Sequence, residues 1–182
     1  MNEQQYVDSI IRDLDNAEDR LFQITHAELV ERAYRWLLKS GCGIAFRELV
    51  AATQSGEIPD VIGFGNWKSV VIECKASRSD FLADKKKHFR QNPANGMGRF
   101  RLYCCGWGLI KPNELPDKWG LLWVGQKGTR AVINPIGKRE HCFEEFDIQS
   151  EQAMMYSALR RIHLRKGLDV IYEPFTPKGD NA

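Results

Sequence analysis

The sequence predicts an α/β domain, a mixed β-sheet flanked by α-helices. Three observations carry this. First, residues 25–40 open on a capping box, Thr25 with Glu28, and place Leu29, Val30, Ala33, Tyr34, Leu37 and Leu38 on one helical stripe, with Gly41 as the stop. Second, the run from Ile58 to Lys75, IPDVIGFGNWKSVVIECK, reads as strand, tight turn, strand. Third, a basic helix after Ser77, strands at 99–105, 121–124 and 130–133, and a helix over 150–166 with Ser150 as its N-cap complete an alternating pattern.

The remaining segments are read in the same way. Residues 3–22 carry Tyr6, Ile10, Ile11, Leu14 and Leu21 at helical spacing, an N-terminal helical extension over 1–24. Ile44–Phe46 and Leu49–Ala51 are extended, broken by Arg47-Glu48, and TQSGE (53–57) is a polar turn. In the basic helix, Phe81, Leu82 and Phe89 face inward, while Lys85, Lys86, Lys87 and Arg90 project outward. The stretch QNPANGMG (91–98) is a loop, and residues 168–182 form a tail.

A chain of 182 residues with 43% hydrophobic and 27% charged residues is expected to form one soluble domain with an ample core. Nothing approaches the roughly 18 consecutive apolar residues of a membrane span. MNEQQYVDS lacks the basic start and apolar run of a signal peptide, so a cytoplasmic location with reduced thiols is expected. The five cysteines show no CxxC spacing and read as small buried hydrophobes. The four histidines stand in no nucleophile context, and no phosphate-cradling glycine loop follows a strand.

Charge is unevenly distributed. Residues 1–31 hold eight acids against Arg12 and Arg20, whereas residues 75–101 hold eight Lys and Arg against Asp80 and Asp84. A basic block beside carboxylates suits a polyanionic partner.

The central hairpin carries the chemistry. Strand alternation points Glu73 and Lys75 one way and Cys74 the other. If the hairpin turns about Asn66-Trp67, Asp60 falls opposite Glu73, with Cβ atoms about 5 Å apart. Two carboxylates that close raise each other's pKa unless a cation bridges them, and a hard divalent ion with oxygen ligands is the economical bridge.

Pro59-Asp60 followed by Glu73-Cys74-Lys75 resembles the active-site signature of the PD-(D/E)xK nuclease superfamily. The longer ECKASRSDFLADKKK, with GMGRFRLYCCGWGLI and LPDKWGLLWV downstream, is similar to the MmcB-type DNA-repair proteins and their phage-encoded relatives, over residues 26–135. The resemblance implies a restriction-endonuclease-like core and metal-dependent hydrolysis of phosphodiesters, DNA above RNA. Asp60, Glu73 and Lys75 would be catalytic, with Mg²⁺ or Mn²⁺ held by Asp60, Glu73 and a third carboxylate. That third ligand is either Glu31, from the helix before the sheet, or Glu48. Lys75 would orient water, stabilise charge on phosphorus, or act as base if its pKa is depressed. Arg78 would approach the scissile phosphate, and Lys85, Lys86, Lys87 and Arg90 would hold the backbone without reading sequence. A homodimer fits an enzyme that cuts both strands. The alternative is an accessory protein that binds nucleic acid on the same fold without turnover.

Overall fold

The computed structural model describes residues 22–172. The predicted N-terminal helix and the end of the tail lie outside these residues.

The first helix, α1 (His26–Lys39), starts where the sequence places it. The Thr25 hydroxyl accepts from the Glu28 amide, and the Glu28 carboxylate accepts from the Thr25 amide at 2.9 Å. Leu29, Val30, Ala33 and Leu37 form its buried stripe, and Gly41, at φ +80°, turns the chain away after Ser40.

Six strands follow: β1 (Ile44–Arg47), β2 (Val61–Gly65), β3 (Lys68–Lys75), β4 (Phe100–Gly106), β5 (Gly120–Gly125) and β6 (Gly128–Ile133). They form one mixed sheet in sequence order, with β3–β4 and β4–β5 parallel and the other pairs antiparallel. The hairpin register is the expected one, running from Gly65 opposite Lys68 to Val61 opposite Ile72. Asn-Trp is a poor turn by itself. Here Trp67 meets Phe100 edge-on at 6.0 Å, and its carbonyl accepts from Arg99 at 3.3 Å, so tertiary contacts hold the corner.

Alternation divides the sheet into two cores. On one face α1 packs against Val61, Val70, Ile72, Cys74, Leu102, Cys104 and Leu122. On the other, Tyr103, Cys105, Leu121 and Trp123 meet Phe81 and Trp119, while Ile62, Val71 and Met97 receive Met154. All five cysteines are free and buried, as expected of small apolar side chains.

The helices on this second face differ from the reading above. The basic helix breaks into α2 (Arg78–Asp84), capped by Ser77, and a four-residue α3 (His88–Gln91). Leu82 is exposed, whereas Phe81 and Phe89 are buried. The last helix, α4 (Ile148–Lys166), begins two residues early because Asp147, not Ser150, caps it; the Ser150 amide donates to Asp147 at 2.9 Å. Its Leu159 and Ile162 are exposed, since α4 buries only Ser150, Glu151 and Met154.

Candidate metal and ionic site

Asp60 ends the approach to β2, one step beyond the Val61–Ile72 pair, which sets it opposite Glu73 at the end of the ladder. One of its oxygens accepts the Cys74 amide at 2.7 Å, and the other is 3.4 Å from His26 Nε2. The same imidazole nitrogen is 3.5 Å from Glu48. Glu48 reaches this place because it adopts φ +45°, a left-handed conformation that ends β1, and donates its amide to the Asp60 carbonyl at 2.9 Å. One donor atom from each of His26, Glu48 and Asp60 lies within 4.8 Å of the others. Adjacent donors around a six-coordinate ion stand about 3 Å apart and opposite ones about 4.2 Å, so small side-chain rotations would bring all three onto one cation.

Asp60 is the least exposed member of this group, half-buried with its side chain 19% exposed. Burial first, and the charge of Glu73 second, push its carboxyl up to about 6. The Glu73 charge adds to burial here, as expected of a carboxylate that faces another.

Behind Asp60 lies a buried ionic network. Glu73 and Lys75, on the expected common face of β3, are each only 3% exposed. Lys75 Nζ donates to Glu73 at 3.1 Å and to Asp84 at 3.2 Å. Arg90 reaches three carboxylates: it donates to Glu57 and, at 3.0 Å, to Asp84, and it forms an ion pair with Glu73 at 2.9 Å whose N–H direction misses the oxygen. The Tyr103 hydroxyl donates to Asp84 at 2.9 Å, and Lys87 closes the rim 2.8 Å from Asp84. Glu57 also accepts the Met97 amide at 2.6 Å, which ties the 91–98 loop to the network.

Burial pulls the Lys75 ammonium down, but Glu73 and Asp84 outweigh it and raise its pKa above the ordinary lysine value. The surroundings of Lys75 thus favour its charged form, against the depressed pKa on which a role as base depends. Burial likewise pushes Asp84 up, yet Arg90 and Lys75 together hold its carboxyl well below the usual range. Glu57 is raised, because its burial outweighs its arginine partner.

The other predicted residues are placed as follows. Arg90 does not project outward: the helix break at 85–87 redirects it, and its side chain is 4% exposed among three acids. Glu31 pairs with Arg35 at 2.6 Å and with Arg47, outside the carboxylate group, so of the two candidates it is Glu48 that stands beside Asp60. Arg78 grips Glu114 through two hydrogen bonds, 2.8 and 2.6 Å, and also donates to the Leu109 carbonyl. Lys85 donates to the Glu114 carbonyl at 3.0 Å, and Lys86 is exposed. Sequence reasoning missed His26, Glu57, Asp84 and Tyr103. Only Asp84 carried a signal, three residues after the inward-facing Phe81 on one helix.

No family model matches the chain, and no curated protein matches it. Among solved structures, the chain is similar to a protein of unknown function from Silicibacter pomeroyi, at TM-score 0.52 and 24% identity, over 80% of this chain and 94% of that one. The likeness shows the α/β fold, a mixed sheet flanked by helices. Among the described residues no helix is long and apolar enough to cross a membrane.

Proposed function

We propose that this protein is a divalent-metal-dependent nuclease acting on DNA. The observation that carries the reading is Asp60, a carboxylate forced to share a partly buried corner with Glu73 and faced by His26 and Glu48. Such a donor set has a physical reason to take up a cation, because an ion would offset the burial, and then the Glu73 charge, that lift Asp60. Two carboxylates and one imidazole suit Mn²⁺, and Mg²⁺ less well, since nitrogen donors favour the later metals. When bound, the ion would supply Lewis acidity toward water and the phosphoryl oxygens.

The chain's own residues would do the rest. Asp60, Glu48 and His26 would hold the ion. Glu73, braced by Lys75 and Arg90, would set the negative field behind it and become a ligand if Arg90 yields its oxygen. Lys75, whose charged form Glu73 and Asp84 favour, would offset charge on the transferred phosphoryl group. Lys85, Lys86 and Lys87 would hold phosphates along the strand without base readout.

A second reading has its own support. Glu73 and Lys75 are 3% exposed and already partnered by protein, as in a static core that serves a DNA-binding accessory protein. Calorimetric titration with Mn²⁺ separates the two. Saturable binding that is lost in Asp60→Asn supports the nuclease, and no heat from folded protein supports the accessory role.

A further inference from the structure

At the hairpin end of β3 a hollow of about 270 Å³ is lined by Trp67, Arg99, Phe100, Lys138, Arg139 and Cys142. Three of these described residues are cations and none is an acid; Glu140, next to Arg139 in sequence, lies outside the wall. The ion pairs among the described residues involve none of the three cations. Arg99 donates from Nε to the Cys142 sulfur at 3.1 Å and from Nη1 to the Trp67 carbonyl at 3.3 Å. Its Nη2 has no hydrogen-bond partner among the described residues. Two further ammonium groups flank the hollow: Lys68 Nζ stands 5.7 Å from the Trp67 ring, and Lys118 Nζ donates to the Cys142 carbonyl at 3.2 Å.

Backbone hydrogen bonds brace the walls. Gly137, at φ +83°, lets the Lys138 amide reach back to the Pro135 carbonyl at 3.1 Å, and a 3₁₀ turn over Arg139–His141 follows. The Phe143 amide returns to the Arg99 carbonyl at 3.0 Å, and the Arg99 amide donates to the Ser69 hydroxyl at 3.0 Å. Lys138 and Arg139 are thereby held exposed beside Trp67, which is 57% exposed. An open indole next to cations without carboxylate partners matches two parts of a nucleotide, a base face and a phosphate. Whole small-molecule ligands occupy about 300–1,000 Å³, so this hollow suits one unit of a longer chain.

We propose that this pocket binds single-stranded nucleic acid, with one unpaired base against Trp67 and the adjoining phosphates on Arg99, Lys138 and Arg139. A base inside a duplex is stacked on both sides and offers the indole no face. Stacking accepts every base, so the contact is sequence-tolerant. Glu73 lies six residues beyond Trp67 along the β3 direction, about 20 Å at the rise of a strand. The pocket is therefore separate from the Asp60 site, and the proposal requires neither metal nor cleavage.

Fluorescence anisotropy of a short labelled oligothymidylate, titrated with the full chain in EDTA, tests it. Trp67→Ala should weaken binding about tenfold, as loss of one stacked base does, and leave binding of a blunt duplex unaffected. Lys138→Gln with Arg139→Gln, both at exposed positions, should lower affinity and reduce the slope of log K against log salt by about 1.4, two phosphate contacts at about 0.7 each. Lys127→Gln with Lys166→Gln removes the same charge from other exposed positions and should change affinity less than about twofold. Equal losses in the two double variants overturn the proposal, since binding would then follow net charge alone. Unchanged binding in Trp67→Ala overturns it too. Failure of the parent chain to bind the single strand in EDTA also overturns it and leaves the nuclease reading standing, because cleavage is measured separately with the metal.

Discussion

Asp60 and His26 approach within 3.4 Å from distant parts of the chain, one entering β2 and the other opening α1. Glu48 joins them only because its backbone turns into the left-handed region. The resulting group combines one nitrogen with two carboxylates, and burial, then the Glu73 charge, disfavours ionisation of its least exposed member, Asp60.

That disfavour gives a stability prediction with a definite sign. Asp60 titrates near 6 in the fold, against about 3.9 in the unfolded chain, so the native state holds the extra proton between those values. Its contribution to stability is greatest below pH 4 and is lost as pH rises through 6. Asp60→Asn keeps an acceptor for the Cys74 amide and removes the charge. In metal-free urea denaturation at pH 7.5 the variant should be more stable by about 1–2 kcal/mol, and the gap should close by pH 4. A gap of the same size at both pH values would contradict the burial argument.

The ionic network should behave as a unit. Arg90→Met leaves Glu57, Glu73 and Asp84 short of a cation in a buried setting, and should cost about 3–5 kcal/mol in urea denaturation. Lys86→Met, on the exposed side, should stay within about 0.5 kcal/mol of the parent. Comparable losses for both would mean that the network is not what holds the α2–α3 segment to β3.

Metal choice follows from the imidazole. His26→Ala should weaken Mn²⁺ binding by about tenfold or more and affect Mg²⁺ less, because nitrogen donors discriminate between them. Parallel calorimetric titrations read this directly. Equal loss for both ions would place His26 outside the coordination sphere.

Glu48→Ala and Glu31→Ala separate the two candidate third carboxylates. Glu48→Ala should weaken Mn²⁺ binding by about tenfold, whereas Glu31→Ala should leave it unchanged and release only its exposed pairs with Arg35 and Arg47. The opposite ranking would return Glu31 to the site.

Much of this arrangement was legible in the sequence wherever local rules govern. The Thr25–Glu28 cap, the 65–68 corner and its register, and the shared direction of Glu73 and Lys75 all follow from short-range spacing. Arg90 and Glu57 were not legible, and Asp84 only through its spacing from Phe81, because charge in a sequence reads as surface and their compensation arises only in the tertiary fold. The break after Asp84 had the same effect, since a continued helix would have carried Arg90 outward. His26 was hidden because its partners lie on β-sheet approaches far along the chain. Ser150 was a plausible cap, but Asp147 three residues earlier accepts its amide and starts the helix sooner.

The most direct test of the proposed function is cleavage of single-stranded, duplex, flap and four-way-junction DNA with Mg²⁺ or Mn²⁺. EDTA and Asp60→Asn serve as controls, with folding checked by circular dichroism. The account predicts cutting that requires the metal, is stronger with Mn²⁺, and disappears in Asp60→Asn. Folded protein that binds these DNAs yet leaves every one intact with both metals would contradict it.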